Sequence, residues 1–213
     1  MIKGAIFDVD GTLLDSMKMW DHAAEKYLLG LNITPEPDIE KKMFTFTMQK
    51  AACYMKETYK LSFNTEEIIA GLNDVISSFY RYEAEPKSGV ISLLDRLSAA
   101  NIPMTVATST DRCQIEAALT RLDMMKYFKR IFTCSEVGVG KIKPDIYIQA
   151  KEFMGTDIKE TWVFEDAYHA AKTAHNAGFK VCGVYDESSK EHLDELKKYS
   201  HIYVNSLEDF DIF

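Results

Sequence analysis

From Pro86 onward, short apolar runs alternate with helical patterns, and no other feature of the sequence constrains the fold so tightly. The runs stand at 102–107, 131–134, 161–164, 180–184 and 202–204. Helical periodicity fills the gaps at 90–100, 111–122, 145–154, 167–177 and 189–198. Parallel strands need crossovers of this kind, so the alternation predicts a parallel sheet with helices on both faces. One more apolar run, residues 2–7 (IKGAIF), ends in acid as a buried strand does, and it is read as part of the same sheet.

The stretch from Ser16 to about Tyr82 has a different texture, helical throughout. Trp20, Ala23, Ala24, Tyr27 and Leu28 fall at 3–4 spacing between Ser16, a candidate N-cap, and Gly30, a stop. A helix is predicted over 47–59. Asn64 followed by Glu67 resembles a capping box ahead of an apolar stripe of Ile68, Ile69, Leu72, Val75, Ile76 and Phe79. The expected architecture is an α/β Rossmann-like core, residues 1–15 and 85–213, with a helical cap of residues 16–84 inserted after the first strand.

Bulk properties narrow the function classes. A net charge of -8 and a pI near 5.2 argue against nucleic acid as a partner, since such binders carry a basic face. Cys53, Cys113, Cys134 and Cys182 form no CxxC pair and no His/Cys cluster, so neither a disulfide framework nor a zinc site is expected, and reduced thiols fit the cytoplasm. The first apolar run is too short for a signal peptide, and no stretch approaches the roughly 18 apolar residues of a membrane span. The expectation is a cytoplasmic protein with no membrane or nucleic-acid partner, taken to be a monomer although no residue pattern bears on that point.

In parallel α/β sheets, ligands sit beyond the carboxyl ends of the strands. The polar residues that end the apolar runs therefore belong together. They are Asp8-Val9-Asp10-Gly11-Thr12, Thr108-Ser109-Thr110, Gly140-Lys141-Ile142-Lys143-Pro144-Asp145 and Glu165-Asp166. Carboxylates, hydroxyls and a lysine on one sheet edge suit a phosphoryl group held with Mg²⁺, a hard ion that takes oxygen ligands. Two simpler assignments fail. An EF-hand places its glycine sixth in the loop, whereas Gly11 is fourth from Asp8. GVGK at 138–141 lacks the first glycine of a phosphate loop, where Ser135 stands, and its Ser/Thr, where Ile142 stands.

Taken together, these segments resemble the haloacid dehalogenase superfamily, in the branch with an α-helical cap. DVDGT is similar to motif I, Thr108 in VATST to motif II, GKIKPDIY to motif III and FED to motif IV, in order and across nearly the whole chain. The resemblance implies a Mg²⁺-dependent phosphatase acting on a small phosphorylated metabolite, with the cap closing over the site and selecting the substrate. Asp8 would be the nucleophile that forms an aspartyl-phosphate. Asp10 would be the general acid and base, and its carbonyl a metal ligand. Thr108, with Ser109, would bind the phosphoryl oxygens, and Lys141 would neutralise charge on Asp8 and the phosphoryl group. Asp8, Asp10, Asp166 and Glu165 would make up the metal site. Two residues along a straight strand face opposite ways, so Asp10 can serve only if the chain turns, which Gly11 permits.

The match has departures. Motif III reads Lys141-Ile142 where lysine-proline is usual, with Lys143 as a second candidate, and Ala167 and Ala170 stand where serine and glycine often follow the motif IV acids. Lys18, Trp20, His22, Arg112 and His169 are weaker substrate candidates. Trp20 at helical spacing reads first as core, and Arg112 reads equally well as an exposed helix-start residue. A β-phosphoglucomutase-like mutase is the close rival. It calls for a cap-loop arginine, which the stretch 41–50 lacks, although Lys41, Lys42 or Lys50 could substitute. Dehalogenase and phosphonatase relatives lack the second aspartate and are disfavoured by Asp10. A regulator that only binds phosphometabolites is disfavoured by retention of Asp8, Asp10, Lys141 and Asp166.

Overall fold

The computed structural model describes residues 2–43 and 46–211, apart from the side chain of Asp21. Six strands, β1 (Gly4–Phe7), β2 (Met104–Thr108), β3 (Phe128–Thr133), β4 (Thr161–Glu165), β5 (Lys180–Val184) and β6 (Ile202–Val204), form one sheet. Its order is β3-β2-β1-β4-β5-β6, and every pairing is parallel. All residues of β1 and β2 are buried, as continuous apolar strands covered on both faces must be. The edge strand β3 instead exposes Lys129 and Arg130, charges that discourage edge-to-edge pairing.

Contacts divide the chain into two compact units, residues 1–16 with 84–213 and residues 17–83. In the first unit the crossovers carry α5 (Val90–Ala99), α6 (Arg112–Arg121), α7 (Cys134–Val137), α8 (Asp145–Met154), α9 (Tyr168–Ala177) and α10 (Leu193–Tyr199). Its core gathers Ile6, Ala107, Phe132, Tyr147, Val163 and Phe179, and Phe7 stacks on Phe164 with ring centroids 4.3 Å apart. The second unit consists of α1 (Met17–Gly30), α2 (Ile39–Met43), α3 (Met48–Tyr59) and α4 (Thr65–Tyr82). Tyr27, Leu28, Ala52, Met55, Ile68 and Leu72 fill its core. Among the described residues, no helix is long and apolar enough to cross a membrane.

Local signals account for much of this. The capping box forms: Asn64 Oδ1 accepts from the Glu67 amide at 2.8 Å, and Glu67 Oε2 accepts from the Asn64 amide at 2.7 Å. Ser16 stands directly before α1, and its hydroxyl donates to Asp10 Oδ1 at 2.6 Å. Trp20, read as core, is 39% exposed and donates to the Tyr80 hydroxyl, which is itself buried where the stripe pattern had picked Phe79. The short helices α2 and α7 had no counterpart in the periodicity, being too brief to show a repeat.

Candidate active site

Strand order reverses direction at β1, so β1 and β4 flank the switch point where ligands collect in such sheets. Register pairs Phe7 with Phe164, which sets Asp8 beside Glu165 and Asp166 just past the strand ends. The Asp8 amide donates to the Phe164 carbonyl at 3.0 Å, so the nucleophile candidate is anchored by the sheet itself.

Lys141, in the loop between α7 and α8, is 6% exposed and pairs with Asp8 Oδ1. It also donates to Glu165 Oε1 at 2.6 Å. Lys143 is exposed. Burial pushes the Asp8 carboxyl well above the usual range. Lys141 opposes that shift, while Glu165, Asp166 and Asp10 add to it. The Lys141 ammonium is raised, because Asp8 and Glu165 together outweigh its burial.

Asp10 reaches this edge through a turn. Gly11 has φ 78°, a conformation that suits glycine, and the Val9 carbonyl accepts from the amides of Thr12, Leu13 and Leu14. The Asp10 carboxylate takes one hydroxyl on each oxygen, from Ser16 and from Thr110, both at 2.6 Å. Thr108, fully buried at the end of β2, accepts from the Thr110 amide at 3.1 Å, and Ser109 is exposed beside Cys134.

Carboxylate oxygens of Asp8, Glu165 and Asp166 all lie within 4.8 Å of one another, and all three residues are buried. Glu165 Oε1 takes both Lys141 and the Tyr147 hydroxyl, at 2.6 and 2.7 Å, whereas Oε2 is buried with no partner. Asp166 is pushed up to about 7, first by burial and then by Glu165 and Asp186. Three crowded acids and an orphaned oxygen are what a hard divalent cation would relieve, so the residues fit Mg²⁺.

The structure thus clusters Asp8, Lys141, Glu165 and Asp166, keeps Asp10 within electrostatic reach of Asp8, and sets Thr108 at the end of the neighbouring strand β2. Arg112 is occupied elsewhere, with bonds to Glu136, Glu116 and the Ile131 carbonyl. His22 pairs with Glu25 on an exposed surface, and His169 is exposed. Sequence reasoning missed Tyr147 and Ser189 and gave Thr12, inside DVDGT, no role of its own. Tyr147 had a faint signal as the last residue of GKIKPDIY. Thr12 and Ser189 donate to Asp166 Oδ1 and Oδ2, each at 3.3 Å, and nothing local marks Ser189 for that role.

A parallel sheet whose switch point holds a lysine-paired aspartate beside two further buried carboxylates is an α/β protein with a candidate site at its strand ends. The comparisons give the family. The model for haloacid dehalogenase-like hydrolases matches residues 5–184, and the chain belongs to that family, as an enzyme of its phosphatase/hydrolase type. The phosphorylated carbohydrates phosphatase of Thermotoga maritima is 23% identical over 184 residues, spanning 86% of this chain and 85% of that protein. Validoxylamine A 7'-phosphate phosphatase of Streptomyces hygroscopicus subsp. limoneus is 28% identical over 195 residues, spanning 92% and 91%. A candidate β-phosphoglucomutase structure from Thermotoga maritima superposes with a TM-score of 0.85 at 22% identity, covering 98% of this chain and 96% of that one.

Proposed function

We propose that the protein is a Mg²⁺-dependent phosphatase that hydrolyses a small phosphomonoester through an aspartyl-phosphate on Asp8. The observation that carries this reading is the buried Asp8 carboxylate, paired with Lys141 and crowded by Glu165 and Asp166 at the carboxyl end of β1. Asp8 attacks phosphorus, and the leaving oxygen takes a proton from Asp10. Asp10 then removes a proton from water, which attacks the phosphoryl group, frees phosphate and restores Asp8. Ser16 and Thr110 hold the Asp10 carboxylate for both transfers. Lys141 offsets charge on Asp8 and the phosphoryl oxygens, with Thr108 and Ser109 as hydroxyl donors. Asp8, Glu165 and Asp166, with the Asp10 carbonyl, would hold the metal, which supplies charge neutralisation at the phosphoryl oxygens. The helical unit, residues 17–83, is assigned as the substrate-selecting cap, and the two phosphatase relatives support a phosphorylated metabolite as substrate.

The three lysines of the stretch 41–50 each have a partner within the helical unit, which favours a phosphatase over a mutase. Lys41 pairs with Asp38 and Lys42 with Glu36, while Lys50 lies over the Phe46 ring at 3.9 Å. Phe44 and Thr45 of the same stretch lie outside the described residues. Phosphate release and β-glucose 1-phosphate conversion are to be followed together by ³¹P NMR, with and without EDTA. The expected result is steady Mg²⁺-dependent phosphate release that Asp8→Asn abolishes while its circular dichroism is unchanged. Isomerisation outrunning release, or full release in EDTA, would overturn the proposal.

A further inference from the structure

Lys87 lies in the segment that returns from the helical unit to α5, and it is a nearly buried cation with three partners. Its ammonium donates to the Gly11 carbonyl at 2.7 Å, to the Tyr185 carbonyl at 2.7 Å and to Asp186 Oδ2 at 2.6 Å. The lysine and aspartate side chains are only 15% and 8% exposed. Its backbone is fixed as well: the Lys87 amide donates to the Leu13 carbonyl, and Leu14 bridges to Pro86.

The partners lie on different strands. Gly11 follows β1, whereas Tyr185 and Asp186 follow β5. Sheet order puts β4 between those two strands, so Lys87 ties together segments whose strands stand about 10 Å apart, on either side of the strand that ends in Glu165-Asp166. Each tied segment sends one hydroxyl to Asp166: Thr12, next to Gly11, to Oδ1, and Ser189 to Oδ2. Asp186 also organises the second segment, accepting from the amide and hydroxyl of Ser188, while its own carbonyl accepts from the Ser189 amide. Alanine at 167 leaves the position after Asp166 with no hydroxyl of its own. Both bonds to Asp166 are 3.3 Å, longer than the roughly 2.5–3.0 Å usual for hydroxyl donors and therefore weak, so small drifts of either segment would break them.

We infer that Lys87 is a positioning residue for the metal site: by clamping the Gly11 turn to the Tyr185–Asp186 segment, it holds Thr12 and Ser189 on opposite sides of Asp166 and sets the plane of that carboxylate. The inference rests on Asp166 holding the cation proposed above. Groups that orient a ligand are worth about 10- to 100-fold in metal affinity. Because Lys87 acts through such groups, Lys87→Met should weaken binding of Mn²⁺, a probe whose free fraction is read by electron paramagnetic resonance, by about 10-fold, the lower end of that range. Lys87→Arg, which keeps the cation, should recover part of that loss. In an Asp166→Asn background, Lys87→Met should add nothing.

A merely structural staple would lower the melting temperature and leave the Mn²⁺ affinity of the folded protein unchanged, and that result would overturn the inference while leaving the metal site intact. Wild-type protein that binds no Mn²⁺ would overturn the metal site and this inference with it. If Lys87→Met does not fold, Ser189→Ala decides. It removes one hydroxyl from Asp166 and keeps the clamp, so weaker Mn²⁺ binding supports the inference and unchanged binding overturns it.

Discussion

A lysine that is 6% exposed is tolerable only while its charge is matched, and Lys141 is matched twice, by Asp8 and by Glu165. Removing it leaves two buried carboxylates without their cation and takes a preorganised charge away from the phosphoryl oxygens. Lys141→Ala is therefore expected to lower turnover by about 10²-fold or more, the scale of losing one such donor. Lys143 is exposed and should cost far less when changed in the same way. Steady-state kcat for the two variants on one phosphomonoester checks this, and the reverse order would move the motif lysine by two positions. In the sequence, the resemblance to motif III favours Lys141, with Lys143 as the second candidate. The contact of Lys141 with Glu165 depends on β1 and β4 lying side by side, which no local pattern announces.

At the scale of elements, the helices of the second unit show how far local rules reach. The Asn64–Glu67 capping box is written in four residues and forms as written. Gly71, nearly two turns into the same helix, follows the opposite logic. Helix propensity alone says that alanine there should stabilise by roughly 0.5–1 kcal/mol. A Cβ at Gly71, however, would stand 2.2 Å from Cε2 of Tyr27, because α1 packs closely against α4 at this point. Tyr27 is itself buried and has little room to yield. Gly71→Ala is thus expected to destabilise by about 1–3 kcal/mol, the cost of overpacking. A urea midpoint lower than wild type is the expected reading, and a higher one would mean that the helix term dominates.

For the whole molecule, acid stability is the accessible observable. Burial of Asp186 favours its protonated form, but hydrogen bonds from Lys87 and Ser188 prevail and hold its carboxyl below the usual value. The folded state then binds fewer protons at this position than the unfolded chain, whose carboxyl titrates near about 3.9. The resulting stabilisation is present above about pH 4 and is lost as pH falls through the lower folded value. Asp186→Asn should flatten that part of the acid limb when urea midpoints are compared between about pH 2 and 6. An unchanged slope would show that the Lys87–Asp186 pair survives in the unfolded chain or contributes nothing.

Sequence alone pointed to the sheet, because apolar runs separated by helical periods supply the crossovers that parallel strands require. It also located Asp8, Asp10, Thr108, Lys141 and Glu165-Asp166, since each ends an apolar run or stands in the loop after one, and strand ends are where such sheets gather chemistry. It left open whether Asp10 could turn back to the edge, which the positive φ of Gly11 and the hydroxyls of Ser16 and Thr110 resolve. Tyr147 on Glu165, Ser189 on Asp166 and the reach of Lys87 from β1 to β5 came only with the tertiary structure. The reason is physical: periodicity records which side of an element faces the core, whereas these contacts depend on which strands lie side by side and on how far a side chain reaches across them.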